Sequence, residues 1–276
     1  MRLLILGGRG MAGHMMVDYF RKYYKYDVHY TSRDQADPRS IFLDVSNRES
    51  VKKVIDDLKP DIVINGIGIL NGSADKNIKE AILVNSLLPH YLSELTESYG
   101  GKLIHISTDC VFSGKRGDYK EDDLPDGTSV YAKTKSLGEI NSKRHLTIRT
   151  SIIGPELKEN GIGLFLWFMK QTGFIKGYQN VFWNGVTTLE LAKAVEKMIT
   201  NNVTGIFHLC TKEKISKYEL LKLIQKIFDK NDVEIVPDSE IVLDRTILST
   251  RDDFQYNVPN YESMLVELRD WMLSNE

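Results

Sequence analysis

Cysteine is scarce: two residues in 276, Cys110 and Cys210, stand alone in the chain and cannot form a disulfide framework. Neither they nor the six histidines fall at metal-ligand spacing, so no metal site is expected. Long apolar runs are missing as well, and nothing approaches the roughly 20 residues that a membrane span requires. The apolar start at residues 3–6 stops after four residues at Gly7-Gly8-Arg9-Gly10, with no small-residue cleavage pattern behind it. Charge of one sign is also lacking. Lys and Arg total 36 against 38 Asp and Glu, and a net −2 gives no basic field for nucleic acid. Together these absences lead us to expect a soluble, cytoplasmic protein with neither nucleic acid nor membrane as partner, working as a monomer or homodimer.

What is present is the composition of a globular domain, 42% hydrophobic and 27% charged, which argues against disorder. Through residue 150, short β-branched runs alternate with longer amphipathic ones, the signature of a parallel sheet wrapped by helices. Strands are predicted at 3–6, 27–31, 61–65, 102–107 and 146–149, and helices at 11–23, 48–58, 76–99 and 130–143. Lys59-Pro60 stops one helix, because proline supplies no N–H and restricts the residue before it. Beyond Gly154-Pro155 the pattern changes. Helices are expected at 162–171, 189–199, 217–228 and 260–274, with strands at 179–183 and 206–209. The expected fold is α/β: a Rossmann-type doubly wound parallel sheet with a smaller C-terminal substrate-binding lobe. Residues 1–150 would form the dinucleotide-binding domain, with later segments returning to it, and 151–276 mainly the smaller lobe.

Gly7, Gly10 and Gly13 make G-x-x-G-x-x-G between the first strand and the first helix. Free N–H groups and the positive dipole end at a helix N-terminus favour a pyrophosphate. Glycine lets the backbone turn tightly and come close to it. Gly7, Gly10, Met11 and Gly13 are therefore expected to hold a dinucleotide. The second strand runs out in Thr31-Ser32-Arg33, with no acid for a ribose 2′-hydroxyl until Asp34, and Arg9 lies inside the loop. Ser32 and two guanidiniums suit a 2′-phosphate, which favours NADP(H) over NAD(H). Asp34, one residue further on, is the contrary signal. Asp44, followed by Val45, is either an acceptor for the adenine amine or a helix N-cap.

Tyr-x-x-x-Lys occurs twice, at Tyr131/Lys135 and Tyr218/Lys222. A four-residue step puts both side chains on one helix face. Only the first pair follows a strand that ends in Ser107-Thr108-Asp109, and ligands of open parallel sheets bind at the carboxyl ends of strands. Tyr218/Lys222 is therefore read as a surface pair. A neutral tyrosine donates a proton poorly unless a cation supports its anion, and Lys135 supplies that cation. The Thr108 hydroxyl can hold the same carbonyl oxygen, and Lys135 can also hold a nicotinamide ribose. Thr108, Tyr131 and Lys135 form the expected catalytic set.

These segments resemble the extended short-chain dehydrogenase/reductase superfamily, and within it the dTDP-4-dehydrorhamnose reductase family of nucleotide-sugar reductases. The likeness is carried by Gly7 to Gly13, by Ser-Thr-Asp-Cys-Val-Phe-Ser-Gly at 107–114, by Tyr131 to Lys135 with Gly138-Glu139, and by Arg149-Thr150-Ser151. It implies reduction of a nucleotide-linked 4-keto-deoxysugar. By the same likeness Asn65 lines the cofactor and Asn85 faces the active site. Arg149, Thr150 and Ser151 then begin the grip on the sugar nucleotide, and Thr108, Asp109 and Tyr131 meet it. Arg245-Thr246 stands where an arginine–proline pair is expected, with Arg245 still able to contact a diphosphate. The superfamily also admits an epimerase or dehydratase with tightly bound NAD, and a non-catalytic NADP-binding regulatory subunit.

Other residues have plainer readings. His105 alternates with Ile104 and Ile106 and is read as a packed core histidine. Phe165, Trp167 and Phe168 are read as core. Trp183, before Asn-Gly, is a possible stacking surface for a base or sugar.

Overall fold

The computed structural model describes residues 1–22 and 26–275. Strand β1 (Arg2–Leu6) is buried along its whole length after Arg2 and divides its side chains between two cores. Leu3 and Ile5 face one core with Met15, Met16 and Phe20; Leu4 and Leu6 face the other with Val51, Ile55 and Leu92. A strand apolar on both faces belongs at the centre of a helix-covered parallel sheet. Each fully buried Leu or Ile contributes about 1.5–3 kcal/mol.

The remaining strands of that sheet are β2 (Asp27–Ser32), β3 (Ile41–Phe42), β4 (Ile62–Asn65), β5 (Lys102–Ile106), β6 (Leu146–Arg149) and, much later in the chain, β10 (Gly205–His208). Their order is β10-β6-β5-β4-β1-β2-β3, with every neighbouring pair parallel. Sequence order reverses between β1 and β4, which opens a crevice beyond their carboxyl ends. The chain is thus α/β with a seven-stranded parallel sheet, as expected.

Helices α1 (Met11–Lys22) and α2 (Arg48–Leu58) start and stop near their expected limits. Tyr23, the expected last residue of α1, lies outside the described residues. The predicted helix 76–99 is instead broken. Short helices α3 (Asn71–Lys76) and α4 (Ile78–Ala81) meet at Asn77, whose side chain caps Glu80 N–H. A π-helical stretch, Ile82–Leu87, then leads into α5 (Leu88–Glu97). There the Leu88 N–H reaches Leu83 O, five residues back, and Pro89 has no N–H to donate. Helix α6 (Val130–Leu137) stops short of residue 143 at Gly138. A Cβ at Gly138 would lie 1.9 Å from Asn85 O, so only glycine lets α6 seat against the π-helical stretch.

After β6 come β7 (Ile152–Ile153), α7 (Leu164–Met169), β8 (Gly173–Trp183), β9 (Val186–Thr187) and α8 (Thr188–Thr200). Following β10 are β11 (Ile215–Ser216), α9 (Lys217–Ile227), β12 (Val233–Asp244) and α10 (Tyr261–Ser274). Strands β11, β8 and β12 form a second sheet, whose apolar side packs with α7, α9 and α10 around Phe168, Leu220, Ile224 and Leu265. Strand β12 escaped the sequence reading for a physical reason. Pro237 and the charges at Glu234, Asp238 and Glu240 read as loop, and its pairing with β8 shifts register between Asp238 and Val242. Phe165 and Phe168 are buried as expected, whereas Trp167 is 39% exposed. Among the described residues no helix is long and apolar enough to cross a membrane.

Candidate active site

The glycine loop closes on itself. Gly7 sits at φ +77°, and Gly10 N–H donates to its carbonyl at 2.8 Å. A Cβ on Gly13 would fall 2.1 Å from Gly7 O, so the third glycine seats the helix N-terminus against the turn. This turn borders a cavity of about 530 Å³ between the ends of β1, β2 and β4. Gly7, Arg9, Gly10, Ser32, Arg33, Asp44, Val45 and the stretch Gly66 to Ile69 line it. A glycine cradle at a helix start, beside a crevice of this size, fits a dinucleotide.

Charge along the rim is uneven. Arg9 lies 3.4 Å from both Asp34 and Asp37, so its guanidinium is shared with two carboxylates. Arg33 makes no ion pair among the described residues and borders the cavity. Asp44 accepts from Ser46 N–H at 3.0 Å and Ser46 Oγ at 2.8 Å, which hold its carboxyl below the usual range. The cap of α2 is Asn47, bonded to Ser50 N–H; Asp44 is therefore not the helix cap.

The Thr108–Cys110 turn sits beyond the carboxyl end of β5, and α6 brings Tyr131 and Lys135 to it. Ser129 caps α6 by accepting from Ala132 N–H. Thr108 begins a 3₁₀ turn, Asp109–Val111, where its Oγ1 accepts from Cys110 N–H at 3.1 Å and donates to Asp109 Oδ1 at 3.1 Å. Tyr131 is 8% exposed and packs with Ile69, Ala74, Ala81 and Cys110. Burial drives its phenol pKa upward, and a hydrogen bond with Thr108 opposes that. Lys135, 2% exposed, donates from Nζ to Ile106 O at 2.7 Å, and burial lowers its pKa to about 8. Phenol, amine and hydroxyl thus converge within one segment of β5 and its following turn.

Other expected site residues lie differently. Asn65 is fully buried and does not itself line the cavity; its Oδ1 accepts from Ile67 N–H at 3.1 Å and shapes the lining loop. Asn85, also buried, bridges Ile69 and Thr134 instead of facing open space. Arg149 is paired with Glu139 at 2.8 Å, both side chains at most 5% exposed, and so is closed to a ligand. Trp183 is a correction too. At 3% exposure it cannot offer a stacking face, and its Nε1–H occupies Ser151 Oγ at 2.8 Å. A large aromatic before Asn-Gly reads equally as surface or core until the lobe beneath it is known. Arg245 stands at the Thr108–Cys110 turn, with Nε donating to Phe112 O at 3.1 Å and Nη1 3.9 Å from Cys110 Sγ. Of the second tyrosine pair, Tyr218 is partly buried against the smaller sheet while Lys222 is exposed.

Three neighbours were not foreseen. Lys217, first residue of α9, lies 5.1 Å from the Trp183 ring; burial lowers its pKa to about 8 against the opposing pull of Asp109. Lys158 borders the dinucleotide-sized cavity from the far side of β6 in sequence. No local signal marks either lysine. His105, read as core, is fully buried but engaged through both ring nitrogens.

Comparison with known proteins agrees with this fold. The chain is 28% identical over 230 residues to a dTDP-4-dehydrorhamnose reductase of Aggregatibacter actinomycetemcomitans, covering 79% of this chain and 76% of that one. It is 26% identical over 253 residues to methionine adenosyltransferase 2 subunit beta of Danio rerio, covering 87% and 77%. In fold it superposes, at TM-score 0.84 and 21% identity, on the crystal structure of a dTDP-4-dehydrorhamnose reductase from Bacillus anthracis in complex with NADP, over 98% of this chain and 99% of that one. The family model of the RmlD substrate binding domain matches residues 1–243, and the chain belongs to that family.

Proposed function

We propose that this protein is an NAD(P)H-dependent reductase of a nucleotide-linked 4-keto-deoxysugar, with NADP(H) preferred. The observation that carries the reading is the meeting of Thr108, Tyr131 and Lys135 around the turn after β5, with Tyr131 packed on Ile69 of the cavity lining. The likeness to dTDP-4-dehydrorhamnose reductases supports the substrate class. Gly7, Gly10, Met11 and Gly13 would hold the pyrophosphate, Ser32 and Arg33 with Arg9 the 2′-phosphate, and Asp44 and Val45 the adenine. When bound, the nicotinamide supplies a hydride to the carbonyl carbon. Thr108 orients the carbonyl oxygen, and Tyr131 gives that oxygen its phenolic proton, leaving an alcohol and a phenolate. Lys135 supports the phenolate electrostatically. Asp109 and Arg245 border the substrate's side of the turn.

A panel of keto-sugar nucleotides, assayed with NADPH and with NADH by loss of nicotinamide absorbance, tests this. Tyr131→Phe should lower turnover by at least about 10² while cofactor binding is retained. No absorbance loss with any keto-sugar nucleotide would overturn the reading. The likeness to methionine adenosyltransferase 2 subunit beta favours a second one, a cofactor-binding subunit without turnover. A stoichiometric protein partner recovered from cells, with no turnover on the panel, would select it.

A further inference from the structure

We propose that His105 is a positioning residue that determines whether Lys135 is an ammonium or a neutral amine, through a one-way hydrogen-bond chain beginning at Asn65. The chain crosses three elements. Asn65 ends β4, His105 lies within β5 beside it, and Lys135 projects from α6. All three side chains are at most 2% exposed, so water cannot rescue a mismatched contact.

Direction is set at the Asn65 end. Asn65 Oδ1 accepts from Ile67 N–H at 3.1 Å, and a main-chain N–H can only donate. The other amide atom, Nδ2, is a donor, and it points at His105 Nδ1 at 3.2 Å. Nδ1 must therefore accept, which places the single proton of a neutral imidazole on Nε2. That Nε2–H faces Lys135 Nζ at 3.2 Å. Among the described residues Nζ has one further hydrogen bond, donating to Ile106 O at 2.7 Å.

Only the neutral amine satisfies every contact, so the hydrogen-bond chain draws the Lys135 pKa down towards neutrality, while the ammonium that supports a Tyr131 phenolate persists at lower pH. A neutral amine accepts from Nε2–H with its lone pair and still donates to Ile106 O. An ammonium has no lone pair, so the Lys135–His105 contact would set donor against donor. Moving the ring proton to Nδ1 relieves that clash and creates the same one against Asn65 Nδ2. A doubly protonated ring sets Nδ1–H against the Asn65 Nδ2 donor, and burial already holds the His105 pKa far below its ordinary value. The charged groups around the pair are few. Glu139, beyond α6, favours the Lys135 ammonium, while His90 on α5 and Lys135 itself oppose charge on His105.

The consequence is a lysine that gains or loses its proton close to neutral pH. On the reductase reading, this is where a spent Tyr131 phenolate must regain a proton, and Lys135 then serves as more than a fixed positive charge. That consequence rests on the proposed function; the hydrogen-bond chain does not.

The test uses the full chain labelled with ¹⁵N-histidine and ¹³Cε-lysine. Ring nitrogen shifts at pH 9, above the Lys135 midpoint, should show His105 as the Nε2–H tautomer. Lys135, assigned by its disappearance in Lys135→Met, should titrate near pH 8. In His105→Gln the side-chain amide can turn its oxygen to Nζ, and the midpoint should rise by about one pH unit. Asn65→Leu frees Nδ1 to carry the proton and should raise it as well, which keeps a result in hand if His105→Gln does not fold. An Nδ1–H tautomer at pH 9, a charged ring at pH 7, or a Lys135 midpoint unchanged in a folded variant would overturn the proposal. If the chemical shifts are as stated but no keto-sugar nucleotide is reduced, the reductase reading falls and the role of His105 stands.

Discussion

Asn85 Nδ2 donates to Thr134 Oγ1 at 3.1 Å, tying the π-helical stretch to the helix that carries Tyr131 and Lys135. The same side chain bonds both main-chain groups of Ile69, accepting from its N–H at 2.8 Å and donating to its carbonyl at 2.9 Å. One amide therefore joins the wall of the cavity to the helix that carries Tyr131 and Lys135. Asn85→Leu should leave buried polar groups unpaired and lower stability by about 1–3 kcal/mol. A urea midpoint shifted at constant m-value is the check, together with weakened NADPH binding because Ile69 lines the cavity.

On the proposed reading, cofactor choice depends on which guanidinium is free. Arg9 is shared with Asp34 and Asp37, while Arg33 has no carboxylate within ion-pair range among the described residues. Arg33→Ala should weaken NADPH about tenfold, equivalent to about 1.4 kcal/mol, and leave NADH nearly unchanged. Asp34→Ala should act the other way, leaving Arg9 only Asp37 to pair with and so strengthening NADPH. Calorimetric titration of both cofactors reads both variants; equal losses for NADPH and NADH in Arg33→Ala would place that side chain away from the 2′-phosphate.

Trp183 should matter to folding and not to substrate. Trp183→Phe removes the hydrogen bond to Ser151 Oγ and some buried volume. A loss of about 1 kcal/mol or somewhat more is expected from the hydrogen bond alone, visible as a lower Tm. The KM for substrate should stay within about twofold. A tenfold rise in KM at unchanged Tm would return Trp183 to the substrate surface.

Burial of Lys135 has a pH signature in stability. Its pKa is lowered to about 8 in the folded chain, against about 10.4 when unfolded. Below pH 8 both states hold the proton. Between about pH 8 and 10.4 the unfolded chain holds it and the native chain has released it, so stability rises with pH by up to about 1.4 kcal/mol per pH unit. Lys102 and Lys217, also lowered to about 8 by burial, act in the same window. The quantity to measure is therefore the difference between the wild type and Lys135→Met across pH 7–10. A difference that does not vary with pH would contradict a buried, titrating Lys135.

Local chemistry made much of this molecule legible in one dimension. The buried runs of β1, β4 and β5, the glycine spacing after β1, and Tyr131 four residues before Lys135 each act over a few residues, so sequence alone determined the parallel sheet and the candidate catalytic set. Tertiary contact decided the rest. Helix 76–99 breaks at Asn77 and again at the π-helical stretch, where Asn85 reaches Ile69 and Thr134 at once, and α6 ends where Gly138 meets the Asn85 carbonyl. Trp183 turns inward because β11, α9 and α10 cover it, and His105 is polar inside the core because Asn65 and Lys135 arrive from other elements. A hydrogen bond needs both of its partners, and here those partners stand 16 to 49 residues apart, where spacing along the chain carries no information about distance in space.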